Sequence, residues 1–135
     1  MAVAATETII DAFVRFLETT EDPSGILDPD VFVDLNVPHW RYQLQGARAL
    51  ADQLRADAPN GSTITVGRRL STSTGFVVEC AYRQDDHVGP DTLYRTVWLL
   101  AASGGRITEI VLYCTGEWDT QTQERHAADA PMIRA

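Results

Sequence analysis

An α+β fold is predicted by three features of this 135-residue chain. Helical periodicity dominates the start, strand-like alternation fills most of the remainder, and short turns join the strand-like runs. Helices written before strands pack on one face of a sheet. Short connections make that sheet an antiparallel meander.

The first helix is expected over Thr6–Thr19, where Ile9, Ile10, Phe13, Phe16 and Leu17 share one broad apolar face. Thr6 suits the N-cap, and Glu7 suits the positive end of the helix. Residues 21–25 end it, and Asp28-Pro29 marks a short helical turn around Ile26–Val31. Val31, Val33, Leu35 and Val37 then alternate with Phe32, Asp34 and Asn36, as in a strand with two unlike faces. Pro38-His39 breaks the run, because proline has no amide proton for a ladder. A second strand sets Trp40, Tyr42 and Leu44 against Arg41, Gln43 and Gln45. After Gly46 the period changes again, and Ala47, Leu50, Ala51 and Leu54 mark one face of a helix that ends near residues 58–61.

Four strands are expected next, over Thr63–Ser73, Phe76–Arg83, Thr92–Ala101 and Arg106–Trp118. Their breaks are Ser73-Thr74-Gly75, residues 84–90 and Ser103-Gly104-Gly105. Residues 119–135 read as a polar, partly helical tail on a single domain spanning 1–135.

Composition narrows the function classes. The net charge of −8 opposes unspecific binding to nucleic acid or anionic lipid, which requires clustered cations. All 11 cationic side chains are arginine. Without lysine there is no Schiff-base chemistry and no Walker-type phosphate lysine. No apolar run spans a bilayer and the start lacks a secretory pattern, so a cytoplasmic location is expected. Cys80 and Cys114 sit in apolar strand-like runs and read as buried free thiols. The three histidines are isolated, so no metal site is expected. With no glycine-rich strand-to-helix loop, no cofactor is expected either.

The order of elements, together with IIDAFVRFL, LDPDVFVDLNVP, LQGARAL and SGGRITEIVLY, resembles the NTF2-like superfamily, particularly its SnoaL-like branch of polyketide cyclases and ketosteroid isomerase-like proteins. The resemblance implies a cone, a strongly curved antiparallel sheet wrapped around N-terminal helices, with a deep pocket and a homodimeric assembly. It also implies a small apolar or polyketide-like ligand. The isomerase's tyrosine, aspartate base and second acid correspond here to Phe13, Val37 and Thr96 or Val97. The cyclases' His/Asp pair is replaced by residues 113–117, with Glu117 as a loose substitute.

Candidate chemistry therefore rests on other residues. His39 at the hairpin tip is either an exposed turn residue or an acid/base group near the pocket mouth. Asp34 points to solvent or an interface if the valine face is the core; turned inward, it is a general base with a raised pKa. Tyr82, Tyr94 and Tyr113 lie on three strands that would share a cavity, and Tyr94 is the preferred group to polarise a carbonyl. Trp40, Tyr42 and Trp98, with Phe13 and Val37, would form core or pocket wall. Glu79 is expected outward, His87 in a solvated loop and His126 in a tail that is either a mobile segment or docked by Met132-Ile133 over its own pocket or a partner's. Two functions remain: a cofactor-independent isomerase, cyclase, dehydratase or epoxide-opening enzyme, or a binding or dimeric assembly module without turnover.

Overall fold

The computed structural model describes residues 2–85 and 89–134, with side chains from Ile9 onward. The elements are α1 (Ala2–Thr19), β1 (Leu27–Val37), β2 (Trp40–Gln45), α2 (Ala47–Asp57), β3 (Thr63–Ser71), β4 (Gly75–Gln84), β5 (Thr92–Ser103), β6 (Arg106–Cys114) and α3 (Thr120–Asp129). The six strands form one curved, unclosed sheet in the order β2-β1-β6-β5-β4-β3. Strands β3 to β6 make the antiparallel meander expected from their short turns. The hairpin β1-β2 joins it through β1, which runs parallel to β6, so the sheet is mixed.

Two local expectations are corrected. α1 begins at Ala2, which places Thr6 inside the helix and not at its cap. The segment expected as a helical turn is instead the start of β1. Asp22 explains this: its carboxylate accepts the N–H groups of Ile26 and Leu27 at 3.0 and 2.9 Å. Ile107 N–H donates to the Ile26 carbonyl at 2.6 Å, which draws the segment into the sheet. Pro29 lies where the β1–β6 register shifts between Leu27 and Phe32, so its missing amide costs the ladder nothing.

Period-two alternation puts Val31, Val33 and Leu35 on the inner face with Val78, Cys80, Trp98, Leu100, Ile110 and Leu112. Ile10, Phe13, Phe16 and Leu17 of α1, with Leu50 and Ala51 of α2, close this core. Phe13 meets the Trp98 ring edge-on, with centroids 5.3 Å apart. At α1, Glu18 Oε2 accepts the Ile64 N–H at 3.3 Å, pinning the helix to the start of β3.

The tail is tied down as far as Asp129. Leu93 and Trp118 exchange backbone hydrogen bonds of 3.0 and 2.8 Å. Asp119 then caps α3 by accepting the Thr122 N–H at 2.7 Å. His126 stands over the Trp118 ring, with centroids 4.9 Å apart. Met132 and Ile133 do not dock on the chain's own cavity; both are exposed. His87 lies outside the described residues.

Candidate functional site

Curvature leaves a cavity of about 260 Å³ between α2 and the inner face of β1, β2, β4, β5 and β6. Leu17, Leu35, Leu54, Trp98 and Leu112 make its apolar part. Directly opposed pairs explain the convergence: Leu35 beside Tyr42 and Leu112, Trp98 beside Leu112, Thr96 beside Cys114 and Tyr82 beside Tyr94. Residues directly opposite on neighbouring strands share a face, so each pair delivers both side chains inward.

Two polar clusters are built into this lining. Trp98 Nε1–H donates to the Tyr82 hydroxyl oxygen at 3.0 Å in a buried bond. Tyr82 stacks on Tyr94, with centroids 4.5 Å apart and planes 13° from parallel. Tyr94 O–H in turn donates to Gln84 Oε1 at 3.0 Å, and Ser62 O–H donates to the same oxygen at 2.7 Å. Thr96 is 4% exposed; its Oγ1 lies near Cys80 and Tyr82, whose pKa values it acts to lower, but meets no partner at hydrogen-bond geometry among the described residues. Asp57, from the last turn of α2, and Glu117, just after β6, complete the lining and are themselves exposed.

Burial sets the titration of the interior. It raises Tyr42, Tyr94 and Cys114, and raises Tyr82 well above the usual tyrosine value. Beyond burial, Asp57 adds to the rise at Tyr42, Tyr94 and Cys114, and Glu117 adds to it at Tyr94 and Cys114. The phenols and the thiol therefore stay neutral at physiological pH. Burial likewise pushes Cys80, behind the cavity, up to about 11.

The sequence-derived candidates divide sharply by position. Tyr42, Tyr82, Tyr94, Trp98 and Val37 all line the cavity. Phe13 stands behind Trp98 in the core and not in the cavity wall. Tyr113 is corrected to the outer face: it alternates with the inward Leu112 and Cys114, lies opposite Asn36 and Val97, and is 55% exposed. Trp40 shares the strand face of Tyr42 but sits at the hairpin end opposite Val37 and is 71% exposed. His39 occupies the turn with φ +64°, exposed and outside the cavity lining.

Asp34 faces outward, as the valine-core alternative requires. It accepts two hydrogen bonds from Arg41, Nε at 2.9 Å and Nη2 at 2.6 Å. This fork, more than any other influence, holds the Asp34 carboxyl below its usual value, opposite to the rise a desolvated base needs. Glu79 also faces outward, paired with Arg68 at 2.5 Å.

The sequence reading assigns no pocket role to several lining residues: Asp57, Ser62, Gln84, Leu112 and Cys114. Gln84 continues the inward alternation of Phe76, Val78, Cys80 and Tyr82 by one more step. Asp57 lies three residues beyond Leu54 on the same face of α2. Among the described residues, no group of three or more His, Cys, Asp or Glu side chains is gathered to hold a metal ion. No described helix is long and apolar enough to cross a membrane.

No protein-family model and no curated protein matches the chain. Solved structures do. A protein with a cystatin-like fold from Methylobium petroleophilum superposes with a TM-score of 0.69 at 14% identity, covering 98% of this chain and 93% of that one. A protein with a ketosteroid isomerase-like fold from Catenulispora acidiphila, solved in complex with trimethylamine, gives 0.63 at 14% identity, covering 78% and 83%. An NTF2-like protein of unknown function from Cytophaga hutchinsonii gives 0.58 at 17% identity, covering 81% and 98%. At such identities the likeness concerns the fold.

Proposed function

The chain has the NTF2-like, ketosteroid isomerase-like fold, and from that premise we propose that its cavity takes up a small organic molecule. Thr96 carries the reading. A buried hydroxyl without a partner costs free energy until something in the cavity bonds to it. The volume of about 260 Å³ lies just under the range of roughly 300–1,000 Å³ common for drug-sized ligands. A single-ring or short branched metabolite suits it better than a polyketide-like polycycle. The trimethylamine in the Catenulispora protein supports an occupant of this modest size. The test is an NMR titration with toluene: saturable shifts confined to residues lining the cavity are expected, and their absence defeats the reading.

Proton-transfer catalysis is a second reading, favoured by the carboxylates of Asp57 and Glu117 lining the same cavity as Tyr42 and Tyr94. A carboxylate would take a proton next to a carbonyl, and a neutral phenol would hydrogen-bond the resulting enolate oxygen. Tyr94 already gives its proton to Gln84, which leaves Tyr42 as the better donor. In D2O, such activity would place deuterium beside the carbonyl of a small ketone. Glu117→Gln, Asp57→Asn and Tyr42→Phe should each slow it. Exchange at the uncatalysed rate with the unaltered protein across a ketone panel would leave binding without turnover.

A further inference from the structure

We propose that the cavity selects a protonated amine with a small apolar body, a proposal that rests on the cavity being a ligand site at all. Two features of the lining agree on the sign of the ligand, and a third accommodates its N–H groups. Among its 17 described residues the only formally charged ones are the acids Asp57 and Glu117; no arginine or histidine is present. An anionic ligand would therefore meet like charge on entering, and a cation the opposite charge. The overall net charge of −8 reinforces that bias during approach.

Aromatic faces form the second feature. Tyr42, Tyr82, Tyr94 and Trp98 surround the same space. Aromatic rings carry negative charge on their faces, which attracts an ammonium group and repels a carboxylate. The stacked Tyr82–Tyr94 pair adds apolar surface for the body of the ligand.

Hydrogen-bond polarity is the third, and it does not depend on the acids. Three interior donors are already used: Trp98 N–H on Tyr82, and Tyr94 O–H and Ser62 O–H on Gln84. Acceptors remain, as well as the Tyr42 proton. The Tyr94 oxygen keeps its lone pairs, and Thr96 Oγ1 is buried without a partner. An N–H donor satisfies both. A carbonyl ligand could take the Tyr42 or Thr96 proton but would have to displace an existing bond at Tyr94.

Three ligands of one shape separate the possibilities: cyclohexylammonium, cyclohexanol and cyclohexanecarboxylate, titrated calorimetrically at pH 7.5. The amine should bind at least about tenfold tighter than the alcohol, one decade in Kd, and the carboxylate weakest. In the Asp57→Asn/Glu117→Gln double variant, checked for an unchanged fold by circular dichroism, the preference for the amine should shrink to within about threefold. Equal or tighter binding of the alcohol or carboxylate overturns the proposal, as does a preference undiminished in the double variant. Binding of none of the three overturns it too. The toluene titration then tells the failures apart: saturable toluene binding without amine selection retires the amine alone, and no binding of either retires the cavity reading with it.

Discussion

The indole N–H of Trp98 donates to the hydroxyl oxygen of Tyr82 at 3.0 Å, joining two strands beneath the cavity where neither group meets solvent. Tyr82→Phe would keep the ring stack on Tyr94 and remove only the hydroxyl that accepts this bond. The stranded N–H should cost about 1–3 kcal/mol, the desolvation penalty of an unpaired buried donor. Urea unfolding measures this, and a double-mutant cycle with Trp98→Phe should show the costs to be strongly non-additive. Additive losses would mean the bond contributes nothing specific.

Backbone approach makes a second position sensitive. A Cβ added at Gly75 would lie 1.8 Å from the Leu100 carbonyl oxygen and 2.7 Å from its carbon. Backbone atoms cannot rotate away, so Gly75→Ala must push β4 off β5 where Gly75 pairs with Ala101. A loss of about 1–3 kcal/mol is expected, as for other overpacking changes. Gly67→Ala is the control, since its nearest contact would be an ordinary 3.5 Å to Glu79 Cβ. Equal thermal midpoints for the two variants would contradict the geometry.

Alkaline pH should destabilise the fold in a defined window. Burial raises the Cys80 thiol from 9.0 to about 11, so the folded chain holds that proton longer than the unfolded chain does. Its contribution to stability is complete below pH 9 and is lost as pH rises from 9 through about 11. Tyr42, Tyr82 and Tyr94, raised above 10.0, extend the loss to higher pH. Urea midpoints should fall from pH 9 upward, and less steeply between pH 9 and 10 in Cys80→Ala. A parallel decline in both proteins would remove Cys80 from the account.

How far the sequence could be read depended on whether a residue's direction was set locally. Alternation along β4 and β5 already faced Tyr82, Tyr94 and Trp98 one way, and the same rule assigns Gln84 inward when carried one residue further. Applied to β6, it turns Tyr113 outward, because Leu112 and Cys114 take the inner face. Periodicity is silent on which strands become neighbours. The parallel pairing of β1 with β6 sets Leu35 beside Leu112 and closes the cavity wall, yet it joins segments far apart in the chain. His39 lies outside the cavity lining for a related reason: a hairpin tip can stand beside a pocket or beyond it, and only the placement of α2 and the sheet decides.

The cavity can be blocked without touching a charged group, and that separates the lining from the hairpin tip. Leu112 is buried on β6 opposite both Leu35 and Trp98, and it lines the cavity. Leu112→Trp would push an indole into the open space, filling volume otherwise available to a ligand. Uptake of toluene or cyclohexylammonium should be lost, and overpacking should cost stability by no more than about 1–3 kcal/mol. His39→Ala should leave uptake unchanged, because the His39 side chain is exposed in the turn and outside the lining. Titrating both variants beside the unaltered chain decides between them. Retained uptake in Leu112→Trp with loss in His39→Ala would move the site to the hairpin tip.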